Sequence, residues 1–339
     1  MGMIGGRSMK NLEIIAEFGT NHVDPNGKVL ENIEDLIHTL ADKGATAVKF
    51  QLFKADNLVE KNTEVHGLIK NLEIALEEHV RLKKICEEIG LRYLCTPFCV
   101  ESLDALLSIG VKEIKIASCD CGNLQLMSDI VQRHNKIHRV IMATGMSTLN
   151  EIGVSIDILI DGGFNIDLLH CTSVYPTPIY RASLDMIRVL KKKWGLFNIG
   201  YSDHTLGTEV VGIARAMGCT IFEKHVTPDR TMPGFDHAYS FPIDEFDKYV
   251  DAIKNVDQII GEERKYVDKK EAVSRDAMKR GIWFKKEVFK GQKITRDDII
   301  VRRPLKGAVN QTYYFSVLGK KVKKNFNEDD PVLTENLYE

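Results

Sequence analysis

His204 and His225, like Lys49 and Lys115, stand at the ends of short apolar runs of the sequence. A charged or imidazole side chain aimed into apolar surroundings is costly unless it binds a neighbour or a ligand. Side chains alternate along an extended segment, so residues two apart share a face. Lys49 therefore faces the same way as Gln51, Ser202 as His204, and Glu223 as His225. Two imidazoles with open remaining positions suit Mn2+, Zn2+, Fe2+ or Co2+, and a Lewis acid there can polarise a carbonyl. The two lysines, with Thr96, Ser118 and Ser147 beside them, carry the donors of a phosphate or carboxylate site. Glu17 suits acid–base catalysis, the grip of a sugar hydroxyl, or plain pairing with one of those lysines. Singly, each residue has a duller explanation: a hydrogen-bonded structural histidine, or a lysine snorkelling outward. The chemistry becomes specific only if one fold brings them together.

The pattern along the chain supplies such a fold. Segments of strand character run over residues 12–18, 46–51, 91–96, 113–117, 139–144, 166–172, 197–202 and 220–225. Amphipathic helical patterns lie between most of them, at 29–43, 72–89, 101–108, 149–161, 183–193, 208–217 and 244–260. Val29, Ile33, Leu36, Ile37 and Leu40 show the one-sided spacing of a surface helix. Gly44, Gly90, Gly110, Gly162 and Gly218 each follow a helix and are expected to cap it. Alternating strands and helices mean a parallel sheet, and eight strands close a (β/α)8 TIM barrel, an α/β fold. A doubly wound open sheet is the competing fold, but no G-x-G-x-x-G turn follows the first strand. In a barrel the reactive groups gather at the C-terminal strand ends. There the sequence places Glu17, Lys49, Gln51, Thr96, Lys115, Ser118, Ser147, Ser173, Tyr175, Ser202, His204, Glu223 and His225. The polar stretch 54–71 is longer than a usual strand–helix loop and reads as a lid or as a disordered surface insertion.

The bulk properties narrow the class. The chain has 339 residues, 44% hydrophobic and 28% charged, with a net charge of −2, which suits a large barrel plus an appendage. Between Arg275 and Lys324 there are 15 Lys/Arg against 4 Asp/Glu, so this stretch is basic and the remainder acidic. Aromatics interleave there only sparsely, which favours a small anion over nucleic acid. Seven cysteines, an odd number and mostly in apolar runs, read as reduced thiols of a cytoplasmic protein. Cys119-Asp120-Cys121 is too tight for the usual zinc spacings. No apolar run is long enough to cross a membrane. The leader Met-Gly-Met-Ile-Gly-Gly-Arg-Ser resembles a cloning remnant, with Met9 the expected native start. The expected organisation is a tag over 1–11, a catalytic barrel over 12–264, a linker over 265–280 and a small, mostly-β module over 281–339.

In order along the chain, these residues sit in motifs that resemble those of the sialic acid synthase family. Ile15-Ala16-Glu17-Phe18-Gly19-Thr20-Asn21-His22 and Ala47-Val48-Lys49-Phe50-Gln51 are similar to its opening motifs. Cys95-Thr96-Pro97-Phe98, Lys115-Ile116-Ala117-Ser118 and Ala143-Thr144-Gly145-Met146-Ser147 follow. Leu169 through Pro178, Gly200-Tyr201-Ser202-Asp203-His204-Thr205, Glu223-Lys224-His225 and Pro233-Gly234-Phe235-Asp236-His237 complete the set. The basic tail resembles the family's antifreeze-like (SAF) domain, and the likeness runs from about residue 12 to the end.

The resemblance implies condensation of phosphoenolpyruvate with N-acetylmannosamine or a related amino sugar. The products are phosphate and a nine-carbon 3-deoxy-2-keto acid. It implies that His204 and His225 hold Mn2+, or Mg2+ or Co2+, and act with Glu17 in catalysis. Lys49, Thr96, Lys115, Ser118, Ser147, Ser173, Tyr175 and Ser202 would bind phosphoenolpyruvate. Glu17, Gln51, Tyr175 and Asp236 would contact the sugar, with Arg303 reaching it across a domain-swapped homodimer. Small molecules are thus the expected partners, with no nucleic acid and no membrane. Three departures fall outside the metal site. Ser173 stands where the family usually has Asn, Cys119 where Gly is common, and Pro304-Leu305-Lys306-Gly307 departs from the usual R-P-G-x-G. Ser at position 173 matches relatives that make legionaminic or pseudaminic acid from 2,4-diacetamido-6-deoxy hexoses. A Schiff-base aldolase barrel and a non-catalytic sugar-binding barrel are the competing readings of the same residues.

Overall fold

The computed structural model describes residues 12–24 and 26–339, so the 1–11 leader and the expected start at Met9 lie outside the described residues. Residues up to Gly261 form one compact unit and Glu262–Glu339 a second. In the first, eight parallel strands pair each with the next, and the first pairs with the eighth. They are β1 (Glu13–Glu17), β2 (Ala47–Leu52), β3 (Arg92–Pro97), β4 (Glu113–Ile116), β5 (Arg139–Ala143), β6 (Ile166–Cys171), β7 (Asn198–Asp203) and β8 (Ile221–Thr227). The TIM barrel expected from the alternation is the fold that forms. A short β9 (Phe241–Pro242) extends beyond β8.

The outer helices are α1 (Ile33–Asp42), α2 (Ala55–Leu58), α3 (Glu64–Lys70), α4 (Leu76–Glu88), α5 (Val100–Ser108) and α6 (Leu124–Val131). They continue with α7 (Leu149–Asp161), α8 (Asp185–Trp194), α9 (Glu209–Ala216) and α10 (Phe246–Ile260). Ile33, Ile37 and Leu40 of α1 are buried against the sheet, as their spacing requires. The helix begins four residues later than the pattern predicts, because Val29 is taken by an antiparallel bridge to Val23. Helix α6 went unread in the sequence. It buries Leu126, Met127 and Ile130, and the Asn123 side chain caps it by accepting from Leu126 N at 3.2 Å. The stretch 54–71 is not a structureless insertion. It holds α2 and α3, tied down by the Glu73 carboxylate, which accepts from Ala55 N at 2.7 Å and from Lys54 and Lys70 at 3.1 Å. Gly162 does not cap α7 in the expected way: its φ is −77°, and the left-handed residue is Gly163 at +80°.

The barrel interior is layered. Its middle is apolar, with Ile15, Leu94, Ile141, Leu169 and Ile221 all buried. Below it, at the N-terminal strand ends, lies an ionic plug. Arg139 pairs with Glu13 (2.8 Å), Glu113 (3.1 Å) and Asp167, and Arg92 pairs with Glu113 (2.8 Å) and Glu13. The plug closes the lower end, so the polar groups at the upper end face a blind pocket. Removing one partner of a buried ion network strands the others at a cost of about 3–5 kcal/mol. Arg139→Ala is therefore expected to lower the thermal midpoint of the full chain by circular dichroism, with ligand affinity at the opposite end unchanged below that midpoint.

Two further histidines are buried outside the barrel lumen. His22 Nδ1 lies 2.8 Å from Gly19 O, and His79 Nδ1 lies 2.6 Å from Tyr93 OH, while each Nε2 is buried without a partner. Burial lowers the His22 pKa to about 4 and the His79 pKa to about 3. Both remain neutral in the fold at pH values where the unfolded chain protonates them. Stability is thus full above about pH 6.5 and falls as pH drops toward 4 and below, because the unfolded state binds more protons there. Urea titrations at pH 7 and pH 5 are expected to show the midpoint moving to lower urea at pH 5, less so in His79→Gln.

The second unit carries α11 (Lys269–Met278), whose N-terminus the Asp268 side chain caps through Lys270 N and Glu271 N. A three-stranded antiparallel sheet follows, ordered β11 (Ile299–Arg302), β10 (Gly281–Phe284), β12 (Val309–Asn310). After α12 (Tyr314–Val317), β13 (Lys321–Val322) pairs with β14 (Leu337–Tyr338). Ile282, Phe284, Val288, Ile294, Val322 and Val332 make its own small core.

Candidate active site

The C-terminal strand ends enclose a cavity of about 690 Å3, lined by residues from each of β1 to β8 except β6 together with the loops above them. Ladder register does the assembling. Glu17 on β1 lies level with Lys49 on β2 and with His225 on β8, and Ser202 on β7 lies level with Glu223. Lys49 Nζ contacts Glu17 Oε2 at 2.7 Å and Thr96 Oγ1 at 3.3 Å. Gln51 Nε2 donates to Glu17 Oε1 at 3.0 Å, and Ser202 Oγ to Glu223 Oε1 at 3.1 Å. Glu223 Oε2 faces Lys115 Nζ at 3.6 Å and Lys49 Nζ at 3.7 Å and receives no hydrogen bond. Glu17, Lys49, Thr96, Lys115, Ser202, His204 and Glu223 are all buried.

This arrangement separates the two carboxylates electrically. Burial raises the Glu17 pKa, and Glu223 adds to that against the pull of Lys49. Burial also works against ionised Glu223, but Lys115 and Lys49 overcome it and hold its pKa at about 2. Glu17 is thus the carboxyl suited to carry a proton, and Glu223 the permanent counter-ion. Lys49 is held above its ordinary value because Glu17 and Glu223 outweigh its burial, whereas burial leaves Lys115 below its own. Among the described residues, Lys115 has the Ile116 carbonyl (3.2 Å) and the more distant Glu223 (3.6 Å) as partners. Of the two ammoniums it is the less neutralised, and so the readier to accept an incoming anion.

The histidines meet above. Their ring centroids are 5.6 Å apart, with the Tyr175 ring tilted 39° against His204 at 4.2 Å and Tyr239 5.0 Å from Tyr175. His204 Nδ1 lies 2.9 Å from the Thr172 carbonyl oxygen. A carbonyl accepts, so Nδ1 carries the proton and Nε2 keeps a free lone pair. Burial lowers His225 to about pKa 4, and its Nδ1 is buried without a hydrogen-bond partner, 3.9 Å from Asp236 Oδ2. Gly19 makes room for this approach: a Cβ there would lie 2.4 Å from Asp236 Oδ2 and 2.9 Å from the imidazole. Burial disfavours a charged His204, but Cys171 and the Thr172 carbonyl outweigh it and raise its pKa. The His204 Nε2 lone pair and the unpartnered His225 Nδ1 could still hold a divalent ion that displaces the proton. Among the described residues no group of three or more His, Cys, Asp or Glu gathers to hold one. An ion held by these two histidines would need its other ligands from substrate or solvent.

Other expected residues take different places. Ser147 does not line the cavity; its hydroxyl lies 3.2 Å from Gly145 O and 3.4 Å from Cys121 O. Ser173 is also off the lining. Its Oγ, with Ser118 Oγ and Cys171 Sγ, surrounds the bare α-carbon of Gly145, where a Cβ would come within 2.3, 2.8 and 3.0 Å of them. Asp236 lines the pocket, but its carboxylate is already engaged by Thr20 N (2.8 Å), Thr20 Oγ1 (2.9 Å) and Tyr239 OH. Arg303 belongs to the second unit. His170 is structural, with Nε2 2.8 Å from Ala182 O. All seven cysteines are free, and Cys119 reaches the pocket rim. The sequence places Glu223 at the same strand ends but assigns no binding or catalytic part to it, to Thr20 or to Tyr239; those parts follow from contacts between separate strands and loops.

A family model described as the NeuB family matches residues 36–265, and one described as the SAF domain matches 279–337. The N,N'-diacetyllegionaminic acid synthase of Legionella pneumophila is 32% identical over 96% of this chain and 94% of its own length. That of Campylobacter jejuni is 33% identical over 95% and 99%. Among solved structures, the N-acetylneuraminic acid (sialic acid) synthetase from Leptospira borgpetersenii, in complex with citrate, superposes with a TM-score of 0.70 at 34% identity. It covers 78% of this chain and 90% of that one.

Proposed function

The chain belongs to the NeuB family and carries a C-terminal SAF domain, and from that membership we propose that it joins phosphoenolpyruvate to the aldehyde of an N-acetylmannosamine-type sugar. The observation that carries this reading is the convergence, at the C-terminal end of one barrel, of two buried lysines with a buried imidazole, His204, and a half-buried one, His225. The lysines match an anion of high charge, and the imidazoles match an electrophile that needs activation.

Lys115 and Lys49 grip phosphoenolpyruvate, with Thr96, Ser118, Tyr175 and Ser202, which share the lining, as further donors. Glu223 orients the two ammoniums before the anion arrives. C3 of phosphoenolpyruvate forms the new bond to the aldehyde carbon, whose oxygen takes up a proton. Water adds at C2, and the C2–O bond to phosphate breaks, leaving the 2-keto acid. Glu17, whose pKa burial raises, is placed to deliver or receive the proton and to contact the sugar with Gln51 and Asp236. His204 and His225 would hold a divalent ion, Mn2+ in the first instance and Mg2+ or Co2+ as substitutes. That ion supplies Lewis-acid polarisation of the aldehyde oxygen. Helices α2 and α3 above the mouth act as the lid. Arg303 serves the sugar's acylamino end from the second copy of a domain-swapped dimer. The free thiols suit a cytoplasmic enzyme.

A second acceptor class has its own support. Ser173, and the two legionaminic acid synthases among the relatives, favour testing 2,4-diacetamido-6-deoxy hexoses alongside N-acetylmannosamine. Phosphate release from phosphoenolpyruvate, measured with a panel of these sugars with and without Mn2+, tests the proposal. Release that depends on both sugar and metal supports it. No release with any sugar leaves the non-catalytic sugar-binding barrel.

A further inference from the structure

Asp203 and Lys224 immediately precede His204 and His225, and they lie opposite one another across β7 and β8. Side chains alternate along a strand, so both sit on the outer wall of the barrel, behind the imidazoles. Each is 1% exposed. Lys224 Nζ contacts Asp203 Oδ2 at 2.9 Å, donates to Thr205 O, and lies 5.5 Å from the Tyr249 ring and 5.9 Å from that of Phe241. Asp203 Oδ1 accepts from Thr205 N at 2.9 Å and from Thr205 Oγ1 at 2.7 Å. His204 is therefore the middle residue of a turn whose two ends are fastened to one ammonium, and that ammonium stands one residue before His225. A buried ion pair of this kind adds little net stability, because desolvation offsets the attraction. What it does supply is fixed geometry between two strand ends.

We propose that the Asp203–Lys224 pair, with Thr205, is the positioning device that sets His204 against His225 for divalent-ion binding; this rests on the metal assignment above. The two ligands are on different strands, and no hydrogen bond joins their rings, whose centroids are 5.6 Å apart. The clamp behind them fixes the spacing instead. Support of this indirect kind is commonly worth 10–100-fold in metal affinity.

The test is the Mn2+ dissociation constant of the full-length chain, followed by electron paramagnetic resonance of free Mn2+. Phosphoenolpyruvate affinity is measured separately in the absence of metal. Asp203→Leu/Lys224→Met replaces the pair with apolar groups of similar size and is expected to keep the fold. Its Mn2+ affinity should fall by about 10–100-fold, with phosphoenolpyruvate affinity within about twofold of the original. If that variant does not fold, Thr205→Val removes one bond of the clamp and should still weaken Mn2+ several-fold. Unchanged Mn2+ affinity in either folded variant overturns the proposal, as does an equal loss of both affinities, which would mark general scaffolding. His204→Ala serves as the control: if it binds Mn2+ as the original chain does, the metal assignment itself fails.

Discussion

His204→Ala is expected to lower kcat by on the order of 10³-fold, or about 4 kcal/mol of lost transition-state stabilisation, with phosphoenolpyruvate still bound. The imidazole is one of two donors, and its Nε2 is freed for coordination by the Nδ1 bond to Thr172 O. Deleting it leaves one ligand, His225, and charge developing on the aldehyde oxygen loses its acceptor. Anion binding should survive, because Lys49, Lys115 and Thr96 take their positions from β2, β3 and β4 rather than from β7. Steady-state phosphate release gives kcat, and equilibrium binding of phosphoenolpyruvate checks that the pocket is intact. A kcat within tenfold of the original chain would remove the histidines from the chemistry.

Lys115→Met should raise the phosphoenolpyruvate KM by about 10–100-fold, since a hydrogen bond to a charged group is worth roughly 1.5–3 kcal/mol, and should leave the sugar KM nearly unchanged. Lys115 is the less neutralised ammonium, lacking the close carboxylate that Lys49 has in Glu17. Lys49→Met would also strand Glu17, so its effect mixes binding with rearrangement; Lys115→Met is the cleaner probe. The lowered pKa of Lys115 is a property that a Schiff-base lysine also needs. Borohydride treatment with pyruvate separates the two roles. An anion-gripping lysine is not trapped as a reduced adduct, and trapping at Lys115 would favour an aldolase instead.

The barrel was legible because each strand carries its own signature: apolar core residues below and polar residues at the C-terminal end, with helices of clear period between. Lys49, Lys115, His204 and His225 could be placed because each sits at a strand end, where direction follows from alternation. Helix α6 was missed because it is short and follows a turn rather than a long periodic run. The ionic plug was equally invisible, since Glu13, Arg92, Glu113, Arg139 and Asp167 converge only once the barrel closes. Asp236 shows the same limit. Its position at the pocket could be read from its motif, but its engagement by Thr20 and Tyr239 spans separated loops and needs the fold. Glu223 could be placed by the same alternation as His225, but its part as counter-ion to Lys49 and Lys115 needs the closed barrel.

The proposed reaction stands or falls on a carbon–carbon bond between C3 of phosphoenolpyruvate and the aldehyde carbon of the sugar. The direct measurement is carbon nuclear magnetic resonance of a reaction run with phosphoenolpyruvate labelled with carbon-13 at C3 and acceptor sugar labelled at C1. A one-bond coupling between the two labels, growing in step with phosphate release, is the predicted result. Phosphate release with the C3 label appearing in free pyruvate, and no coupling to the sugar label, would contradict it.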